Sequence, residues 1–287
     1  QQPQRQIPTQ LPKPDAEKQR APLADSGVSV KVKSFKFTGY EGLMHEDELQ
    51  AVVAGSVGQD LSFTALQELV DKVTARLKEK GWFLARAYLP KQDVTAGVIE
   101  IAIIQGTSDG SLVIKRSENA RINEGFLRHI GEQAVKPGEA ISEKKLERSL
   151  LLMNDLPGIS ARASLAPGAT SGSTAVQINV DEGPLFSGGI WGDNYGNRYT
   201  GEWRGNGMLS LNDPLSYGDQ LSAMVTGAKD IVQGKIAYAF PLIPGGLKAN
   251  LSYAGMSYRL AGDVSELELD GWSHTLDAGL SYPLLRS

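Results

Sequence analysis

Apolar and polar positions alternate in the stretch GVSVKVKSFKFTGY: Val28, Val30 and Val32 share one phase, then Phe35 and Phe37 take up the other. The alternation predicts a strand, and the flip predicts a bulge near Ser34. The period then lengthens to that of helices. One helix is expected from about Glu46 to Ala54, with an acidic first turn (Glu46, Asp47, Glu48) suited to the helix dipole and a stop at Gly55. A second is expected from Thr64, with Gln67 as its capping-box partner, an apolar stripe of Leu66, Leu69, Val70, Val73 and Leu77, and an end at Gly81. Two strands follow, WFLARAYLP and GVIEIAII, with Ile99, Ile101 and Ile103 on one face of the second. The order is β-α-α-β-β.

That order repeats. GSLVIK reads as a strand, Asn123 as the cap of a helix carrying Phe126, Leu127 and Ile130, and Ser142 as the cap of another carrying Leu146, Leu150 and Met153. GISARASLAPG and STAVQINVDEG close the unit as two strands. Two successive units of one order are a module repeat. Past Gly183 helical periodicity vanishes. In EWRGNGMLSLN, Trp203, Gly205, Gly207, Leu209 and Leu211 alternate with Glu202, Arg204, Asn206, Ser210 and Asn212. Similar alternation runs through Leu221–Val225, Ile236–Leu242, Leu247–Tyr253 and Trp272–Leu284, separated by short turns (NDPLSYGD, PGG) and longer polar loops (GDVSELELDG).

Two architectures bury such a sequence: a water-soluble sandwich with the apolar phase inside, or a membrane barrel with the apolar phase outside. The polar phase is rich in Gln, Lys, Asn, Ser and Thr, and aromatics gather toward segment ends (Tyr238, Phe240, Tyr253, Tyr258, Trp272, Tyr282). That distribution favours the barrel, with a wet lumen and interfacial aromatic girdles. The fold class expected is therefore α+β followed by β.

Composition narrows the function. A net charge of −4 with dispersed lysines and arginines argues against a nucleic-acid partner. The absence of cysteine removes thiolate metal sites, disulfides and cysteine nucleophiles, and fits an exported protein. His45, His129 and His274 lie far apart without metal-ligand spacing, and no G-x-S-x-G, P-loop or G-x-G-x-x-G is present. No catalytic residue, metal, cofactor or small-molecule substrate is expected. No run is long and apolar enough for a membrane helix. The opening QQPQRQIPTQLPKP reads as a mature terminus, and residues 1–27 as a flexible Gln/Pro-rich arm, a linker or plug segment.

GWFLARAYLPKQDVTAGVIEIAIIQG, through Gly81, Arg86, Ala87, Tyr88, Leu89, Pro90, Gln92, Asp93 and Gly97, resembles the end of the first POTRA domain of two-partner secretion transporters of the TpsB type. LERSLLLMNDLPGISARASLAPG, through Leu156, Pro157, Gly158, Leu165, Pro167 and Gly168, resembles their second POTRA domain. GDNYGNRYTGEWRGNGMLSLNDPLSYGDQL is similar to the start of their β-barrel, with Asp193, Asn194, Gly196, Thr200 and Gly201 carrying the likeness; YAFPL and LSYPL resemble strand ends of that barrel. The resemblance implies POTRA 1 at 28–106, POTRA 2 at 107–183 and the amino-terminal strands, about six, of a transmembrane antiparallel β-barrel at 184–287. It implies residence in the outer membrane of a Gram-negative bacterium, contact with outer-membrane lipid, and export of one large secreted exoprotein, a haemolysin, adhesin or contact-dependent toxin. The exoprotein's amino-terminal secretion domain would be received in the periplasm. The family's barrel has sixteen strands and a lumen loop with a Val-Arg-Gly-Tyr/Phe motif, so this chain reads as a fragment that closes no pore alone. A BamA-like assembly factor is the alternative.

An edge strand offers its N–H and C=O groups to an extended partner. The expected receiving edge is Phe83 to Leu89, Tyr88 included: small Ala85 and Ala87 permit close approach, and Arg86 meets carboxylates. The competing reading is that Arg86 and Tyr88 anchor the strand locally. Asp193, Asn194, Gly196, Thr200 and Gly201 are expected to build an outer turn between the first two barrel strands.

Overall fold

The computed structural model describes residues 29–169, 173–259 and 270–286. The expected arm at 1–27 and most of the polar loop before Trp272 lie outside the described residues. The chain divides into two compact units, and the division passes through the second module: residues up to 113, 131–149 and 162–178 form one unit, and 114–130, 150–161 and 179 onward the other.

In the first module, β1 (Ser29–Lys31) pairs with β3 (Asp60–Ser62) as a two-stranded antiparallel sheet. β2 (Ser34–Thr38) runs parallel to β5 (Val98–Ile104), and β4 (Arg86–Tyr88) runs antiparallel on the other side, giving the order β2-β5-β4. The phase flip near Ser34 is thus not a bulge. It is a change of sheet: Val32 N–H donates to Gln59 O at 3.0 Å, while the next amide, Lys33, donates to Gly97 O at 2.7 Å. Helix α1 (Glu46–Val53) gives way to a 3₁₀ turn at Ala54–Ser56, a residue earlier than expected. Helix α2 (Phe63–Glu79) is capped by Ser62, whose Oγ accepts Ala65 N–H at 3.2 Å. Thr64 therefore lies inside the first turn, and Gln67 turns to Asp71 instead of completing a capping box. The expected stripe of α2 is buried in full, packed in one core with Phe35, Phe37, Ile99, Ile101 and Ile103. Burial of each such side chain contributes about 1.5–3 kcal/mol, and this is what holds a short three-stranded sheet together.

The second module consists of β6 (Ser108–Arg116), α3 (Glu124–Glu132), α4 (Glu143–Asn154), β7 (Ile159–Pro167) and β8 (Thr174–Glu182), with sheet order β6-β8-β7. Asn123 caps α3 as expected, its Oδ1 accepting Phe126 N–H at 3.0 Å. Leu127, Ile130, Leu146, Leu150 and Met153 are buried, but Phe126 is not part of that core.

Six strands follow: β9 (Phe186–Asp193), β10 (Arg204–Asn212), β11 (Gln220–Ala228), β12 (Ile231–Pro241), β13 (Lys248–Arg259) and β14 (Asp270–Ser281). They form one antiparallel meander in chain order, with β9 and β14 at its ends. The strands of 9–12 residues from β10 to β14 match the length that a tilted strand needs to cross a bilayer, about 9–11 residues.

Candidate functional site

The strand expected to receive a partner is shorter than its sequence suggests. Only Arg86, Ala87 and Tyr88 are paired as a strand; Phe83, Ala85 and Leu89 lie outside it. The cause is tertiary. Trp82 Nε1 donates to Leu43 O at 2.7 Å, and Ala85 N–H closes a turn onto Trp82 O at 3.0 Å, so the chain before Arg86 is bent. Ala85 and Ala87 are buried, so their methyl groups face the core and not an incoming chain. Ala87 N–H is occupied by Thr74 Oγ1 of α2 at 3.0 Å. Leu89 packs against the module core, and Tyr88 is exposed.

Beyond Tyr88 the strand cannot continue, because Pro90 has no N–H to give the ladder. The carboxamide of Gln92 takes its place: Nε2 donates to Glu100 O at 2.8 Å and Oε1 accepts Glu100 N–H at 2.7 Å. A side chain thus reads both backbone groups of β5 that a longer β4 would have covered. Asp93 then accepts Thr95 N–H at 2.9 Å, which closes the turn and holds its carboxyl below the usual carboxylate range.

The meander is built the other way round from that module. Register aligns Leu209 with Gly188 and Ala223, Ala223 with Ile236, Ile236 with Tyr253, and Tyr253 with Leu276. This apolar row is open: Leu209 is 52% exposed, Ile236 55% and Leu276 72%. On the opposite face of β10, Asn206, Ser210 and Asn212 are buried. Asn206 and Asn212 have polar partners across strands. Asn206 Nδ2 donates to Asp193 at 2.8 Å, Thr226 Oγ1 to Asn206 Oδ1 at 2.8 Å, and Gln220 Nε2 to Asn212 Oδ1 at 2.8 Å. Further along, Ser252 Oγ donates to Asp277 at 3.3 Å.

The five residues expected at the start of this sheet fall in or beside one turn. Asp193, the last residue of β9, accepts Arg204 Nε at 2.7 Å and Tyr195 N–H at 3.0 Å as well as Asn206. Asn194 follows it into the turn. Gly196 N–H donates to Glu202 O at 2.9 Å, and Thr200 O accepts Asp230 N–H at 2.8 Å. Gly201 has φ of 108°, and a side chain there would meet Lys229 N at 2.7 Å, so the position requires glycine. All five thus lie in or beside the turn between β9 and β10.

Within the second unit lies a joint that the sequence reading missed. Glu182, at the end of β8 and with a fully buried side chain, accepts the N–H groups of Arg121 and Ile122 at 2.5 and 2.9 Å and pairs with the Arg121 guanidinium. Arg121 Nη2 also donates to Asn212 O at 3.2 Å, at the end of β10. The turn after it, residues 213–219, meets the second module directly. Asn123 N–H donates to Ser216 O at 2.8 Å, Phe126 packs edge-on to Tyr217 at 6.1 Å between ring centroids, and Leu156 lies against Gly218. A second contact joins α4 to the far turns: Arg286 Nε and Nη2 grip Asp155 at 2.9 and 2.5 Å, Lys248 Nζ donates to Asp155 O at 2.8 Å, and Leu152 lies against Gly246. In sequence the only signal was a pair of aspartates bounding DPLSYGD. Among the described residues, no three histidines or carboxylates come together as metal ligands.

Residues 30–106 match the family described as POTRA domain, ShlB-type, and residues 172–287 match the haemolysin secretion/activation proteins ShlB/FhaC/HecB. The heme/hemopexin transporter protein HuxB of Haemophilus influenzae is 27% identical over 248 residues, covering 84% of this chain and 42% of that protein. The outer membrane transporter CdiB of Escherichia coli is 30% identical over 173 residues, covering 60% of this chain and 28% of that protein. The chain thus spans less than half the length of these relatives. Its fold is similar to the solved structure of CdiB from Escherichia coli, with a TM-score of 0.71 at 22% identity over 96% of this chain and 51% of that one.

Proposed function

Because the chain belongs to the two-partner secretion transporters of the TpsB type, we propose that the protein it forms part of passes one large secreted exoprotein across the outer membrane of a Gram-negative bacterium. The observation that carries this reading is the orientation of the meander. Its apolar phase is open along Leu209, Ile236 and Leu276, while Asn206, Ser210 and Asn212 are covered, with Asn206 and Asn212 bonded across strands. In water that arrangement wastes the hydrophobic effect; against hydrocarbon it is the stable one. The polar face then lines an aqueous path, and the periplasmic modules deliver the exoprotein's secretion domain to it. Capture uses strand addition at β4, where the partner displaces Thr74 from Ala87 N–H.

The test is to express the full-length gene with that of its exoprotein in a Gram-negative host and follow the exoprotein into the medium. Removing residues 29–106 is expected to stop export while the transporter stays in the outer-membrane fraction. Exoprotein in the medium without the transporter, or a transporter recovered in the soluble fraction, removes the reading. Loss of unrelated outer-membrane barrels from the deletion strain would favour the BamA-like alternative instead.

A further inference from the structure

The turn at 213–219 carries more polar structure than a connection between two strands requires. Asp213 N–H donates to Asp219 O at 2.7 Å, Asp213 Oδ1 accepts Gly218 N–H at 2.6 Å, and Asp219 Oδ1 accepts Leu215 N–H at 3.1 Å. Asp219 Oδ2 accepts the hydroxyl of Tyr238 at 2.8 Å. Asp213 and Ser216 both hold positive φ, 57° and 66°, a conformation that side-chain-bearing residues adopt at a cost. The turn is therefore held in one shape, and that shape is the one that meets Asn123, Phe126 and Leu156 of the second module.

At its centre is an unbalanced charge. Asp213 is fully buried, and its Oδ2 has no hydrogen-bond partner among the described residues. The charged groups that face it are Glu182 from β8, Asp219 from its own turn and Arg121 from the loop before α3. With all of them ionised, three carboxylates share one guanidinium, and that guanidinium already serves Glu182 and Asn212 O.

We propose that this turn is a proton-operated latch: with Asp213 neutral it holds the second module against the strand ends of the meander, and with Asp213 ionised it lets go. Release leaves the contact of Asp155 with Arg286 and Lys248 as the pivot. Burial pushes the Asp213 carboxyl up to about 6. Because this value lies above that of a free aspartate, 3.8, the stabilisation is complete below pH 3.8 and is lost as pH rises through about 6. Acid locks the joint and neutral pH frees it. The geometry of the latch stands on the contacts above; its use in delivering an exoprotein rests on the transport reading.

The chain has no cysteine, so two introduced ones can be labelled selectively. Spin labels at Glu118→Cys in the second module and Gln233→Cys in the meander, on the full-length transporter in lipid vesicles, report their separation by pulsed electron resonance between pH 5 and 8. One narrow distance is expected at pH 5, and a second, longer one growing in with a midpoint near 6. The ratio of the two should change by at most about tenfold per pH unit, the limit for one proton. Asp213→Asn is expected to keep the narrow distance throughout. Where that variant fails to fold, Glu182→Gln removes one of the facing carboxylates and is expected to move the midpoint down. A wild-type distance independent of pH, an Asp213→Asn profile equal to wild type, or an unmoved midpoint in Glu182→Gln overturns the latch. The measurement involves no exoprotein, so a failed latch leaves the export assay standing, and failed export leaves the latch standing.

Discussion

The first module and the six-stranded meander are written in the same period-two code and solve opposite problems. In the first module, Phe35, Phe37, Ile99 and Ile101 turn inward to meet the stripe of α2, and Ser34 and Lys36 face water. In the meander, the apolar phase faces out, and on β10 the polar phase is covered. Alternation states only that two faces differ. What decides which face is inside is the chemistry of the polar phase. Asn206, Asp193 and Thr226 can satisfy one another across strands, whereas Ser34 and Lys36 have no such ladder.

The comparison breaks most sharply at a core leucine. Leu77 is fully buried in α2, so Leu77→Ala should destabilise the first module by about 2–5 kcal/mol, from lost transfer energy plus a cavity. Urea unfolding of that module should show a lower midpoint with an unchanged slope. If the first module were as open as the meander, the loss would fall below about 1 kcal/mol.

The converse change sits on the meander. Leu209→Lys places a charge on the open face of a central strand, half exposed and aligned with Ala223 and Gly188. Folding of the full-length protein into lipid vesicles should become less favourable by about 2–4 kcal/mol, and less than that if Leu209 lies near a membrane boundary. In a soluble sandwich with a wet outer face, the same lysine would cost nothing. A vesicle-folding yield equal to wild type would therefore turn the meander's outer face back toward water.

How far each region was legible follows from the same physics. The stripe of α2 and the two phases of β10 could be read directly, because both are local repeats that packing only reinforces. The cap of α2 was misplaced because Ser62 and Thr64 are equally able to cap, and the choice falls to the pairing of Leu61 with Val30. The strand drawn through Phe83 to Leu89 was too long because Trp82 reaches Leu43, 39 residues away, to bend the chain. Of the joint, only the aspartates bounding DPLSYGD showed in the sequence, and they mark a turn without its partners. Arg121 and Asn212 lie 91 residues apart, and Asp155 and Arg286 lie 131 apart; nothing in either neighbourhood marks them as partners.

The smallest expected effect concerns edges, where the two regions also differ. The end strand β4 of the first module has its Ala87 N–H covered by a hydroxyl from α2, whereas the end strands of the meander present full-length sides of 8 and 12 residues. Thr74→Val keeps the shape of the side chain and removes that hydroxyl. It should cost the module about 0.5–1.5 kcal/mol, one hydrogen bond, and expose the N–H. If capture proceeds by strand addition at β4, the exoprotein's secretion domain no longer has to displace the hydroxyl. Its affinity in a binding titration should then rise by about two- to tenfold. Ala87→Pro removes the same N–H permanently, on an edge strand where proline is tolerated, and should abolish binding while the module's unfolding transition persists. Unchanged affinity in both variants would take β4 out of consideration and reduce Thr74 to a cap that keeps an exposed strand from pairing with the wrong chain.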